Sequence, residues 1–301
     1  MRFFKNIKIK NNSCILVVIL LAFNSSLYAH PFLWKVTGEN EFYLFGTIHL
    51  PDPRVTQVPE EVVQALAKST SFYAELDLSE TNTMMIKQSM WLLDKKTLHD
   101  YLSLSLKEQI EDYLEQVNPE LNLEFFIQQK IWVLAITLTV IEQQLKYPSQ
   151  AALDAALFEK AVSIGLNTGG LETVEEQLNV FESMTEKQQI VFLRDTVEFM
   201  RSAKSQDKDF IEESIEAYLQ GDLDRLMAYL MSYMKDNEFY DHLLDRLIDQ
   251  RNIKMAESIH RLVSENTSES YFFAIGAGHF WGDNGINTLL QEKGYSIENV
   301  D

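Results

Sequence analysis

Two stretches decide the fold: Tyr43-Leu44-Phe45-Gly46-Thr47-Ile48-His49 near the start, and Tyr271-Phe272-Phe273-Ala274-Ile275-Gly276-Ala277-Gly278-His279 near the end. Each is an apolar run that breaks at glycine and reaches a histidine shortly afterwards. A short apolar run bounded by a turn signal reads as a buried strand, which predicts strands over 42–45 and 271–275. At the start, Pro51 and Pro53 mark a loop. Val62, Val63, Leu66 and Ala67 then recur at helical spacing within 59–68, and 72–76 reads as a second strand. At the end, Ile286, Leu289 and Leu290 recur at helical spacing within 285–293, Gly294 suits a helix C-terminus, and 295–300 reads as a closing strand. Both ends thus follow one order: strand, Gly-x-x-His, loop, helix, strand. The agreement extends over about thirty residues at each end, which reads as an internal duplication.

Between these ends, residues 82–266 carry helical patterns in succession. Ser105 with Glu108 and Thr185 with Gln188 each have the spacing of a capping box. Residues 123–146 form the longest helical candidate, and 165–171, with three glycines, reads as a strand or tight loop. The uncharged run 131–141 is too short for a membrane span and reads as a buried core helix. No linker rich in Pro, Gly or Ser divides the chain, so 30–301 reads as a single domain with a large helical insertion.

The first residues look like a targeting segment. Arg2, Lys5, Lys8 and Lys10 precede an apolar run at 14–23, and small and polar residues follow up to Tyr28-Ala29. That is the layout of a secretory signal peptide over 1–29, and it predicts an exported protein, periplasmic or secreted. An uncleaved anchor is the alternative. Cleavage would remove Cys14, the one cysteine, so neither a disulfide nor a cysteine-based zinc cluster is expected within the chain.

The 301 residues are 46% hydrophobic and 24% charged, an ordinary globular balance that argues against a disordered chain. With 26 Lys+Arg against 45 Asp+Glu the net charge is −19, so the basic footprint of a nucleic-acid binder is lacking. The same balance argues against docking on anionic membranes.

Candidate chemistry gathers at the strand ends. A histidine just after a buried strand lies where pockets form in helix-covered sheets, and glycine lets the backbone approach a ligand closely. His49 and His279 would face each other if the two ends pair in one sheet. Neutral imidazoles suit Zn, Mn, Co or Fe, with carboxylates completing a hydrolytic site. Equally, each histidine could simply cap a strand or bond a backbone carbonyl. Glu75 and Asp77 stand at the end of the strand 72–76, on one face by alternation, and could point into the same crevice or be solvated. Glu172 follows the glycine-rich stretch and also reads as a helix N-terminal acid. Arg251, beside Asn252, would orient carboxylates or bind a substrate carboxylate if buried, and otherwise lies on the surface.

Other motifs fail. There is no Gly-x-Ser-x-Gly elbow and no His-Glu-x-x-His helix. Trp281 stands where a dinucleotide-binding loop needs its third glycine. His30 lacks an identifiable partner for amino-terminal copper binding, and Met84, Met85 and Met90 read as helix packing.

The assembled residues resemble the TraB/GumN family, which includes the Tiki-type metalloproteases. The likeness spans 33–301 and rests on Leu33-Trp34-Lys35-Val36, the two Gly-x-x-His stretches, Glu75-Leu76-Asp77 and Gly170-Leu171-Glu172-Thr173. Glu175-Glu176-Gln177-Leu178, Arg251-Asn252 and the ending Leu289-Leu290-Gln291-Glu292-Lys293-Gly294-Tyr295 add to it. The family is similar in fold to the erythromycin-esterase and ChaN-like group. The resemblance implies an α/β (α+β) fold whose central mixed sheet is built from the duplicated end units. It also implies a metal-dependent, peptidase-like site between the halves. His49 and His279 would be metal-site residues and Glu75 a ligand or general base. Glu172 and Arg251 would be supporting or substrate-orienting catalytic groups. Mn or Co is the expected divalent metal, with Zn compatible, and the partner would be a peptide or protein substrate or ligand. Two functions follow: an exported metal-dependent hydrolase, or a non-catalytic protein that sequesters a peptide, haem or metal. A purely structural role for the two Gly-x-x-His elements is a third.

Overall fold

The computed structural model describes residues 32–300 apart from 94 and 207, so the expected signal peptide and His30 lie outside the described residues. Six strands form one sheet: β1 (Leu33–Thr37), β2 (Glu41–Thr47), β3 (Ser71–Leu76), β4 (Asn167–Glu172), β5 (Tyr271–Gly276) and β6 (Ser296–Asn299). Their order is β4-β3-β5-β2-β1-β6. Neighbours from β4 to β2 run parallel, and β1 is antiparallel to both β2 and β6, so the sheet is mixed. The α/β expectation with a central mixed sheet holds.

The two strands that carry the histidine motifs are central and adjacent. In their parallel register Gly46 lies opposite Ile275, and Thr47 opposite Gly276. Both strands therefore leave the sheet at the same end, beyond the carboxyl ends of the parallel strands, where clefts form in open α/β sheets. Every residue of β5 is buried. Such a run is apolar throughout because helices cover both faces. On one face Phe45, Phe72 and Phe272 pack with helical Leu153, Leu157 and Ile215. On the other, Phe42, Leu44 and Phe273 pack with Met255 and Ile259.

The two end units share a chain order but not a strand spacing. The first unit crosses from β2 over β5 to β3, whereas the second crosses from β5 over β2 and β1 to β6. The extra strand is β1, which pairs with β2 as a hairpin and was not foreseen as a strand. The helix of the second unit, Ile286–Glu292, ends before Gly294, whose φ of +94° is the left-handed conformation expected there.

Within the helical middle several boundaries differ from expectation. Residues 123–146 are not one helix: a 3₁₀ turn at Leu123–Phe126 precedes the α-helix Ile131–Lys146. Between them the chain turns at 127–128 and Gln129 forms an isolated bridge with Trp91, flanked by Leu92 N–H to Gln128 O at 2.8 Å and Lys130 N–H to Met90 O at 3.0 Å. The longest described helix is instead Glu186–Ser205, started by the Thr185–Gln188 capping box as expected. Ser105 is not a cap; Ser103 starts the helix Leu104–Val117, its hydroxyl accepting from Leu106 N–H. The run 131–141 is a core segment, with Trp132, Leu134 and Leu138 buried in a helical cluster that also holds Tyr113, Leu193 and Tyr240. No described helix is long and apolar enough to cross a membrane.

Candidate functional site

Where β2 and β5 end, two imidazoles approach one carboxylate. His49 follows β2 on a loop, with 64% of its side chain exposed, and its Nε2 lies 3.9 Å from Glu75 Oε1. His279 sits in the turn Ala277–Phe280, buried, with Nε2 3.7 Å from the same oxygen. These separations exceed a hydrogen bond, so both rings face Glu75 without donating to it. Each ring is held instead by its other nitrogen. His49 Nδ1 lies 2.7 Å from Asp154 Oδ2, and His279 Nδ1 lies 2.6 Å from Asn252 Oδ1. The Asn252 amide N–H donates to Asn284 O at 2.8 Å, which turns its oxygen to the ring and makes His279 Nδ1 the donor.

Glu75 is pinned from three sides. Its Oε1 accepts from Gly276 N–H at 2.7 Å, and its Oε2 accepts from Arg251 at 2.6 Å and from Gln177 at 3.1 Å. The Arg251 guanidinium spans both acids, reaching Glu172 through Nε at 2.9 Å and Nη2 at 2.7 Å. Its remaining Nη1 donates to Leu247 O at 3.0 Å. Gly276 is required by this geometry. A Cβ there would stand 2.9 Å from Glu75 Oε1 and 3.4 Å from His49 Nε2.

The charges are correspondingly shifted. Burial works against the Glu75 carboxylate, but His279, Arg251, His49 and the Gly276 N–H together hold its pKa well below the usual range. Burial raises Glu172 in spite of Arg251. Asp154 is the main reason that the His49 pKa rises to about 9. Burial lowers that of His279 to about 4.

The structure thus brings together His49, His279, Glu75, Glu172 and Arg251. It also corrects several expectations. Asp77 lies just past β3 and turns into the loop, where its carboxylate accepts from Ser79 N–H at 3.1 Å. Glu172 is the last residue of β4 rather than a first-turn helix acid; the helix Val174–Glu182 begins after Thr173, in a capping box with Glu176. Arg251 is buried and pairs with both Glu172 and Glu75, the arrangement of a group that orients carboxylates. Met84 and Met85 are exposed, not packed.

Sequence reasoning missed Asp154 and Tyr218. Asp154 accepts from both the Thr47 hydroxyl and His49, and Tyr218 donates to Gly46 O at 2.7 Å. Each comes from the helical middle, where a lone acid in a first turn or a tyrosine on a buried face carries no distinguishing signal.

Two imidazole nitrogens and one carboxylate oxygen are a donor set that suits a divalent transition metal. Among the described residues no three His, Cys, Asp or Glu side chains are spaced as a ready metal cage. The arrangement is an open one, with His49 as the exposed member.

The chain is 28% identical over 314 residues to the metalloprotease TIKI2 of Danio rerio, covering 89% of this chain and 61% of that protein. It is 27% identical over 311 residues to the metalloprotease TIKI1 of Homo sapiens, covering 89% and 62%. A TIKI homologue of Nematostella vectensis is 25% identical over 315 residues, covering 89% and 67%. The chain therefore spans about three-fifths of the length of the first two. No solved structure matches it. The TraB/PrgY/gumN family model matches residues 32–299, a span that holds all six strands and both Gly-x-x-His elements, and the chain belongs to that family.

Proposed function

We propose that this chain is a metal-dependent hydrolase of peptide bonds, acting after export as one unit over residues 30–301. The observation that carries this reading is the convergence of His49 Nε2 and His279 Nε2 on Glu75 Oε1, from two strands at opposite ends of the chain. The similarity to proteins named metalloproteases supports it. His49, His279 and Glu75 would hold the ion, with Mn or Co expected and Zn compatible. When bound, such an ion polarises a carbonyl and lowers the pKa of a water.

The chain's own residues prepare the site. Asn252 holds His279 by Nδ1 and leaves Nε2 free as a ligand. Arg251, Gln177 and the Gly276 N–H keep Glu75 ionised. Both Glu75 oxygens are held by these donors and one faces the two imidazoles, which favours Glu75 as a ligand, with the general base as its other role. Glu172 balances the second face of Arg251 and so fixes the guanidinium against Glu75.

The test is metal content of residues 30–301 purified without chelator, followed by a peptide-cleavage screen with Mn, Co or Zn supplied. The expected result is one tightly held ion, with both metal and cleavage lost by about 100-fold or more in folded His49→Ala and His279→Ala variants. Retained cleavage in both variants would overturn the reading. Stoichiometric peptide binding with no product after long incubation would replace it with a sequestering protein.

A further inference from the structure

We propose that Asp154 is the positioning residue for His49, and that it makes the two histidines unequal ligands. The inference rests on the reading of His49 as a metal ligand. Asp154 lies in the first turn of the helix Leu153–Ser163, where an acid is ordinarily explained by the helix dipole. Its contacts point elsewhere. One oxygen accepts from the Thr47 hydroxyl and the other faces His49 Nδ1 at 2.7 Å. Only 15% of its side chain is exposed, so these contacts are held mostly out of water.

Thr47 is the residue after Gly46 at the end of β2, and it is buried. Asp154 therefore grips the first motif at two places, the last strand residue and the histidine two positions on. The second motif is held differently. His279 Nδ1 meets the neutral amide of Asn252, and no carboxylate takes that place. A carboxylate behind an imidazole fixes its orientation and raises its basicity as a ligand, and losing it costs about 10–100-fold in metal affinity. An amide fixes orientation with less effect on basicity. The exposed histidine thus has the charged anchor and the buried histidine the neutral one. The anchor also comes from the helical middle, so the two duplicated ends do not complete the site without it.

The experiment compares the whole chain with Asp154→Ala and Asp154→Asn. Manganese affinity is measured by calorimetry, and thermal melting confirms that each variant folds. Independently of any metal, nitrogen-15 spectra of the imidazoles, followed up in pH until the His49 signals stop moving, read the tautomer of its neutral form. Wild type is expected to carry the proton on His49 Nδ1. Asp154→Ala is expected to release that preference and to weaken manganese binding about 10–100-fold, with His279 unchanged. Asp154→Asn, which still offers an acceptor oxygen, should fall between the two. An unchanged His49 tautomer and unchanged metal affinity in a folded Asp154→Ala variant would overturn the inference. If wild type takes up no metal but the tautomer shifts in Asp154→Ala, the positioning role stands and the metal reading falls.

Discussion

At the scale of single residues the site depends on atoms that are absent as much as on those present. Gly276 has no Cβ, and that gap admits the Glu75 carboxylate to its backbone N–H. Glu75 cannot retreat from an added methyl because Arg251 and Gln177 hold its other oxygen. Gly276→Ala should therefore cost about 1–3 kcal/mol of stability through overpacking, and should displace the oxygen proposed as a metal ligand, read as lost metal affinity in a folded protein. Arg251 sits between two buried acids, with 11% of its side chain exposed against 8% for Glu75 and 1% for Glu172. Removing one member of a buried ion network leaves the others unpaired. Arg251→Met should destabilise the protein by about 3–5 kcal/mol in urea unfolding, more than the loss of either histidine.

At the scale of elements the helix Phe210–Leu219 clamps the first histidine loop at two points. Tyr218 near its end donates to Gly46 O, and Glu212 near its start takes the Arg54 guanidinium. Arg54 also bonds Asp52, at 2.8 Å, in the loop that follows His49. Arg54 is the leading reason that the Asp52 and Glu212 carboxyls titrate below their ordinary values. Each acid thus binds fewer protons folded than unfolded around its ordinary pKa. The stabilisation is complete above the unfolded pKa values and is lost as pH falls through the lower, folded ones. Replacing Arg54 by Gln should lower the urea midpoint at neutral pH while shrinking its further fall towards about pH 3. An equal acid sensitivity in the variant would show that this clamp does not carry it.

At the scale of the whole molecule, burial is graded from the sheet centre outward. Every residue of β5 is buried, whereas β6 at the edge is mostly exposed and the helix Glu80–Ser89 buries none of its residues. Amide exchange should therefore be slowest in β5 and β2 and fastest in β6 and Glu80–Ser89, measured by mass spectrometry on the whole chain. Uniform protection across these segments would contradict that gradient.

Much of this was legible in the chain itself. The apolar runs before Gly46 and Gly276 can only be satisfied inside a covered sheet, so both strands and the histidines at their ends followed from local pattern. Glu75, Glu172 and Arg251 stood beside recognisable boundaries, and the family likeness gathered them. The strand order was not legible, because β1 inserts between the two units through a hairpin whose pairing partner lies at the far end of the chain. Nor was the break before Ile131, which depends on backbone pairing with residues 90–92. Which strands end in histidine and which acids lie near them follows from apolar runs and adjacent residues alone. That Asp154 and Tyr218 hold the first motif across more than a hundred residues, and Asn252 the second across 27, emerges only on folding, because hydrogen bonds between residues so far apart leave no local trace in either partner.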